Sequence, residues 1–103
     1  NVVINECAGI LQYCQECFEG LKAYTTEDGS IVTFRPDLNA ERMMNSASRL
    51  EMPPFPKERF LEAVDQVVRA NAAWVPPYGS GATFYLRPYM FASGPVIGVK
   101  PSQ

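Results

Sequence analysis

An Asp-Gly pair between two β-prone runs is the feature that most restricts how this chain can fold. Asp28-Gly29 separates Lys22–Tyr24 from Ile31–Arg35, and this dipeptide between such runs predicts a tight antiparallel hairpin. Pro36 is predicted to end the second strand, because proline has no backbone N–H to donate to a neighbouring strand. The chain is therefore expected to fold around antiparallel β-structure, on which the remaining elements pack.

Two stretches have the residue spacing of amphipathic helices. The first is predicted from Asp37, acting as N-cap, to Leu50, and the second from about Lys57 to Trp74, with the rigid connector Pro53–Pro56 between them. Apolar residues at helical spacing predict the faces that turn toward the core: Ala40, Met43, Met44, Ala47 and Leu50 in the first helix, and Phe60, Leu61, Val64, Val67, Val68 and Val75 in the second.

The segment Ala82–Phe91 is predicted to form another strand, and a short strand is predicted over Val96–Val99. Alternation along the first of these places Tyr85 and Arg87 on the same face, where a phenol and a guanidinium can clamp a carboxylate. An edge strand with an exposed arginine beside Pro88 explains the spacing equally well. Strands and helices together predict an α+β fold with a mostly antiparallel sheet and two amphipathic helices.

Arg42 is a candidate for binding an anion. It is predicted near the start of the first helix, where a cation opposes the helix dipole. An anion bound there relieves that cost, since helix N–H groups and a guanidinium both favour phosphate. From spacing alone, a solvated surface arginine is the simpler interpretation.

Composition and charge narrow the classes of function. The chain has 103 residues, of which 47% are hydrophobic and 19% charged, and this predicts a single globular domain. Its formal net charge is −2 and it has no run of lysine or arginine, which argues against nucleic acid as a partner. No apolar run approaches the roughly 20 residues of a membrane-spanning helix, so no membrane partner is expected.

The cysteines indicate a reducing compartment. An odd number of cysteines without a secretory signal, here Cys7, Cys14 and Cys17, is typical of free thiols in a cytoplasmic protein. Cys14-x-x-Cys17 has the spacing of half a metal site. Zinc needs about four ligands, however, and the chain has no histidine, so no metal is expected.

Four spaced motifs carry a resemblance to a known family. In chain order they are Gln15–Tyr24, Phe34–Pro36, Asn39–Met43 and Tyr85–Pro88. In this order they resemble the N-terminal small domain of branched-chain amino acid aminotransferases, which are fold-type IV enzymes that use pyridoxal 5'-phosphate. The resemblance runs from about Leu11 to the end of the chain, including both predicted helices.

The resemblance implies roles for the residues that match the family's motifs. Arg42 would bind the phosphate of the cofactor. Phe18 and Gly20 would line the apolar substrate pocket. Tyr85 would help to hold the substrate carboxylate, and Arg87 would bind the distal carboxylate when glutamate is the amino donor.

Tyr13 matches a tyrosine that reaches the pocket of the neighbouring subunit in this family, so the resemblance implies a homodimer. The sequence departs from the family's usual residues beside it. Gln12 replaces a common histidine and Cys14 replaces a small residue, while Thr25 stands for a frequent arginine. These departures concern the surroundings of Tyr13.

The implied reaction transfers the amino group of leucine, isoleucine or valine to 2-oxoglutarate, giving glutamate and a branched 2-oxo acid. The family also needs a lysine that bonds to the cofactor, and Lys22, Lys57 and Lys100 do not match it. Because the sequence lacks an initiating methionine and stops abruptly at Gln103, we expect residues 1–103 to be a piece of a longer protein. The missing lysine is expected in a large domain after this piece, which should be inactive alone.

Two other interpretations remain open at this stage. One is the small domain of another fold-type IV enzyme, such as a D-amino acid aminotransferase or aminodeoxychorismate lyase. The Phe18–Lys22 run and Tyr85–Pro88 favour the branched-chain group. The other is a non-catalytic dimerisation module that uses an exposed apolar face for self-association.

Overall fold

The predicted α+β class is confirmed by the computed structural model, which describes residues 1–102 of the chain. Over these residues it consists of five short strands, one short helix and two longer helices. In chain order they are α1 (Gly9–Tyr13), β1 (Glu16–Phe18), β2 (Leu21–Thr25), β3 (Ile31–Thr33), α2 (Pro36–Arg49), α3 (Lys57–Ala70), a 3₁₀ turn (Ala72–Trp74), β4 (Phe84–Leu86) and β5 (Tyr89–Phe91). None of these helices is long and apolar enough to cross a bilayer.

The predicted hairpin is confirmed. Strands β2 and β3 pair antiparallel, with Ala23 opposite Thr33 and Thr25 opposite Ile31. The Asp28 carboxylate organises the turn by accepting hydrogen bonds from the Thr26 hydroxyl at 2.5 Å and from the Ser30 N–H at 3.0 Å. These bonds, the Thr26 bond first, lower the pKa of Asp28 to about 2, so the turn keeps its charge at neutral pH.

The turn depends on the backbone freedom of Gly29, whose φ is +87°. A Cβ added there would meet no atom within 4 Å, so Gly29→Ala changes only the backbone energy. We expect the substitution to lower the free energy of unfolding by about 1 kcal/mol, measured by urea denaturation. Gly94→Ala is the matched control, because Gly94 is equally open but lies outside the left-handed region. Equal losses in both variants would contradict this explanation.

The N-cap of helix α2 lies two residues earlier than predicted, so Asp37 is not the N-cap. Pro36 occupies the first turn, where its missing N–H has no helical partner to lose, and Arg35 is the N-cap with φ +46°. The Asp37 carboxylate accepts hydrogen bonds from the Arg35 side chain at 3.0 and 2.8 Å instead. Pro36 therefore starts the helix, while strand β3 already ends at Thr33.

Helix α3 also ends earlier than predicted. Its α-helical part stops at Ala70, and the predicted end at Trp74 falls in the separate 3₁₀ turn. The predicted core faces are largely confirmed, since α2 and α3 meet the sheet through one cluster of buried side chains: Leu21, Ala23, Ala40, Met43, Phe60, Val64 and Leu86. Leu50 and Val67, however, are exposed.

The predicted strand over residues 82–91 is interrupted and forms β4 and β5. Strand β4 pairs with β2, whereas β5 pairs with β1 in a second small sheet. The interruption falls at Arg87-Pro88, because Pro88 cannot donate a backbone hydrogen bond. The partner strands β1 and β2 are interrupted at the same level, at Glu19-Gly20. Here the Glu19 N–H donates to the Pro88 carbonyl at 2.8 Å. The two sheets therefore meet where four non-strand residues face each other.

The strand predicted over Val96–Val99 does not form. Gly98 lies inside it and Pro95 directly precedes it, and both residue types weaken β-structure. Residues 92–102 instead follow an irregular path.

Candidate active site

The junction between the two sheets brings together Phe18, Gly20, Tyr85 and Arg87. The Arg87 guanidinium carbon lies 4.4 Å from the centroid of the Phe18 ring, within cation–π distance. The Arg87 Nε–H donates to the Tyr85 hydroxyl at 3.3 Å. Four of the six predicted site residues thus form one group on one surface.

Gly20 allows this group to close up. A Cβ built on Gly20 would lie 2.8 Å from the Tyr85 hydroxyl oxygen and 3.2 Å from a carbon of the same ring. Real Cβ atoms are not found at the shorter distance, so a side chain here would displace Tyr85. Gly20 is needed for a close approach and not for an unusual φ.

Strand β4 presents Tyr85 outward and Leu86 inward, as the predicted alternation requires. Tyr85 is half exposed, whereas Leu86 belongs to the core. Strand β4 is at the edge of its three-stranded sheet, and the exposed Lys22 is its cross-strand neighbour opposite Tyr85. The edge-strand interpretation is therefore confirmed, and binding of a carboxylate by Tyr85 and Arg87 stays a prediction.

Arg42 is joined to this group through a carboxylate. Its Nε and Nη2 donate to the two oxygens of Glu19 at 2.5 and 2.7 Å. Glu19 is only 4% exposed, while 66% of the Arg42 side chain remains accessible. The hydrogen bonds from Arg42 are the largest cause that holds the pKa of Glu19 below its ordinary value of 4.5, so the carboxylate stays charged at neutral pH.

The position of Arg42 is explained by its pairing with Glu19 and not, as predicted, by the dipole at the start of the helix. Helix α2 begins at Pro36, so Arg42 is its seventh residue and lies beyond the first turn. The helix dipole acts mainly within that turn, and it does not explain why an arginine stands here. The buried carboxylate of Glu19 does.

Asn39 ties the Glu19 side chain to the backbone of Gly20, between β1 and β2. Its Nδ2 donates to the Glu19 Oε2 at 3.0 Å and to the Gly20 carbonyl at 3.2 Å. The sequence reasoning did not single out Glu19 or Asn39 as site residues. The available signal was an acidic residue placed directly between an aromatic residue, Phe18, and a glycine, Gly20.

Tyr13 stands apart from the other predicted residues. It is the last residue of α1, with 44% of its surface exposed, and Cys14 turns the chain behind it with φ +51°. Within residues 1–102, no hydrogen bond or aromatic contact joins Tyr13 to the other five. Its predicted role concerns a neighbouring subunit and stays a prediction.

The cysteines do not contribute to this site. All three are free, and Cys17 is buried against Ala47 and Met52. Burial is the main cause that raises the pKa of the Cys17 thiol, so this thiol stays protonated at neutral pH. Among residues 1–102, no three His, Cys, Asp or Glu side chains are grouped to hold a metal ion.

The arrangement offers two kinds of anion recognition beside an apolar wall. Glu19 occupies one edge of the Arg42 guanidinium and leaves its other N–H groups accessible for an anion. Arg87 and the Tyr85 hydroxyl are placed to bind a carboxylate, and Phe18 provides aromatic surface next to them. A ligand with a phosphate, a carboxylate and an apolar part would use all three.

Comparison with known sequences points to aminotransferases, although no protein-family model matches the chain. A branched-chain-amino-acid aminotransferase of Haemophilus influenzae is 57% identical over 97 residues, which are 94% of this chain and 28% of that relative. A methionine aminotransferase of Arabidopsis thaliana is 51% identical over 98 residues, covering 95% and 27%. The chain thus spans slightly more than a quarter of the length of these curated relatives.

Solved structures show the same similarity at the level of the fold. The branched-chain aminotransferase of Thermoproteus uzoniensis, solved with norvaline, matches with a TM-score of 0.76 and 28% identity, covering 96% of this chain and 31% of that one. The branched-chain amino acid aminotransferase of T.th., complexed with N-(5'-phosphopyridoxyl)-L-glutamate, matches with a TM-score of 0.78 and 29% identity, covering 99% and 34%.

Proposed function

By sequence and by fold this chain belongs to the branched-chain aminotransferase family and forms the small domain of that fold, and we propose that it serves as this domain in a pyridoxal-phosphate enzyme. The proposed reaction moves the amino group of leucine, isoleucine or valine to 2-oxoglutarate. The full-length polypeptide that carries the chain is called the parent enzyme below.

One observation supports the proposal more than any other. The tripeptide Phe18-Glu19-Gly20 joins the anion-binding candidate Arg42 to the carboxylate-binding pair Tyr85 and Arg87. An aminotransferase that uses a phosphorylated cofactor needs both functions within the length of one cofactor–substrate pair. A non-catalytic dimerisation module needs neither.

The residues present fit the phosphate end of pyridoxal 5'-phosphate. The Arg42 side chain is 66% exposed and oriented by two hydrogen bonds to Glu19, and its remaining N–H groups suit a phosphate. When bound, the cofactor supplies the electron sink for amino-group transfer. No residue of this chain is assigned the covalent bond to it, and we propose that a lysine elsewhere in the parent enzyme provides that bond.

The substrate side of the group suits a pocket that accepts two different side chains. Phe18 offers apolar surface to a branched aliphatic chain. Arg87, stacked on the same ring, offers a cation to the distal carboxylate of glutamate or 2-oxoglutarate. The Tyr85 hydroxyl can donate to the substrate carboxylate while it accepts from Arg87.

Three further parts of the proposal concern the parent enzyme as a whole. We propose a homodimer in which the exposed Tyr13 reaches the partner's pocket. We propose a cytoplasmic location, supported by the three free thiols. Without the large domain, the 103-residue chain is proposed to be inactive.

The proposal is tested by assaying the parent enzyme for glutamate formation from 2-oxoglutarate with leucine, isoleucine and valine. We expect turnover with these three, and methionine belongs in the same assay because one relative is named for it. Turnover with D-alanine and none with the branched-chain L-amino acids would overturn the assignment. The 103-residue chain serves as the inactive control.

Replacing Arg87 should separate the two substrate classes. We expect Arg87→Leu to lower the ratio of kcat/KM for 2-oxoglutarate to kcat/KM for 4-methyl-2-oxopentanoate roughly tenfold, because one charge-assisted contact contributes about 1.5 kcal/mol or more. Arg69→Leu, at an exposed arginine paired with Asp65 on α3, is the matched control and should leave the ratio unchanged. An unchanged ratio in Arg87→Leu would show that Arg87 does not read the distal carboxylate.

A further inference from the structure

Glu19 is the most buried charged side chain among residues 1–102, with almost no surface left to solvent. Both of its oxygens accept hydrogen bonds, from Arg42 and, at Oε2, also from Asn39. Burying a carboxylate costs desolvation free energy even when its hydrogen-bond partners are in place. The presence of Glu19 here therefore calls for an explanation. Stability is a weak reason, since Arg42 itself is largely exposed.

The geometry of the pair supplies a better reason. A guanidinium has two usable edges, and Glu19 occupies the edge formed by Nε and Nη2. The second edge, formed by Nη1 and Nη2, keeps two parallel N–H groups and faces away from the buried carboxylate. That edge matches the spacing of two phosphate oxygens.

We infer that Glu19 is a positioning residue for cofactor binding, which holds the Arg42 guanidinium in the orientation that its free edge needs to grip a phosphate. This inference rests on the proposed function and extends it to a residue that does not itself touch the cofactor. An unrestrained arginine loses considerable rotamer freedom on binding, and two hydrogen bonds to a buried anchor remove most of that loss in advance.

Asn39 completes the anchor. Its Nδ2 bridges Glu19 Oε2 and the Gly20 carbonyl, so the carboxylate cannot turn away from Arg42 without losing its hydrogen bond from Asn39. The phosphate-facing arginine on α2 is thereby held in register with the strands that carry Phe18 and Tyr85.

Glu19 could also affect phosphate binding in the opposite direction, and this makes the inference testable. A carboxylate also reduces the positive potential of the guanidinium it pairs with. If neutralisation dominated, removing the charge of Glu19 would strengthen phosphate binding. If positioning dominates, removing it weakens phosphate binding.

The test uses the parent enzyme stripped of cofactor and measures the ratio of its affinities for pyridoxal 5'-phosphate and for pyridoxal, which lacks the phosphate. We expect Glu19→Gln to lower this ratio roughly tenfold, since the amide offers one acceptor where the carboxylate offered two. Glu41→Gln is the matched control. Glu41 is an exposed carboxylate next to Arg42 in sequence and is paired with Lys57, so its loss should leave the ratio unchanged.

Two comparisons separate this inference from the proposed function. If Arg42→Ala lowers the ratio and Glu19→Gln leaves it unchanged or raises it, the positioning role is wrong and the phosphate role of Arg42 stands. If Arg42→Ala leaves the ratio unchanged, the phosphate role itself fails. In the double variant Glu19→Gln with Arg42→Ala, we expect no fall beyond that of Arg42→Ala, because Glu19 acts through Arg42.

A purely structural role is distinguished by thermal unfolding measured on the same samples. That role predicts a lower Tm with an unchanged affinity ratio, which would overturn the inference. If Glu19→Gln does not yield folded protein, Glu19→Asp and Asn39→Ala decide by the same ratio. The first withdraws the carboxylate by one methylene and the second removes its support, and both should lower the ratio by a smaller factor.

Discussion

Arg42→Ala should weaken binding of pyridoxal 5'-phosphate to the parent enzyme by roughly a hundredfold while changing its affinity for pyridoxal far less. The arginine offers two charge-assisted hydrogen bonds on its free edge, and each contributes about 1.5 kcal/mol or more. The measurement is a titration of the cofactor-free enzyme, followed by the visible absorbance of the bound cofactor.

Two further variants show whether this loss of affinity comes from a lost contact to the phosphate. Arg42→Lys keeps the charge but cannot bind Glu19 and a phosphate through two parallel forks, so we expect an intermediate affinity. Arg49→Ala removes an exposed arginine from the last turn of the same helix and should have no effect. An equal loss of affinity for pyridoxal and for its phosphate would show that the variant has damaged the fold instead of a phosphate contact.

Gly20→Ala should lower kcat/KM for leucine by roughly a hundredfold. The new Cβ would lie 2.8 Å from the Tyr85 hydroxyl, so the ring must move and the hydroxyl that accepts from Arg87 is displaced. Displacement of a substrate-positioning group by about 1 Å is enough for an effect of this size. Steady-state kinetics with 2-oxoglutarate as acceptor checks it.

The clash itself can be tested by removing the atom that is hit. Tyr85→Phe deletes the hydroxyl, leaving ring carbons at 3.2 and 3.4 Å from the position of the added Cβ. Gly20→Ala should therefore cause a smaller further loss in a Tyr85→Phe background than in the wild type. Fully additive losses would mean that the two residues act independently, and the close approach would not be the reason for glycine.

Elements with a strong local signal could be predicted from the sequence, and their ends could not. The Asp28-Gly29 hairpin and the two amphipathic helices carry their own turn chemistry and periodicity, so their existence followed directly. The start of α2 was missed by two residues because Pro36 is compatible both with a strand end and with a helix start. Only the position of neighbouring strands decides between those two uses.

The sequence suggested candidate site residues one by one but not their arrangement. The alternation on the segment around Tyr85 placed it correctly beside Arg87, yet the strand was expected to continue through Pro88. The break depends on a matching interruption at Glu19-Gly20, far away in sequence, and no local pattern reports such a match. Glu19 was missed for the same reason, because its partner Arg42 lies on another element.

The double interruption of the strands also sets which sequence changes this scaffold can accept. Phe18 turns toward Arg87, whereas the next residue, Glu19, turns toward α2. Inserting or deleting one residue in the segment Phe18–Gly20 would exchange the two directions and break the contacts of Phe18 with Arg87 and of Glu19 with Arg42 together. Substitutions at Phe18 leave the direction of Glu19 intact, so pocket size can change by point mutation. The side chains of the segment Phe18–Gly20 can thus be exchanged one at a time, whereas a change in the length of this segment would disturb both sets of contacts together.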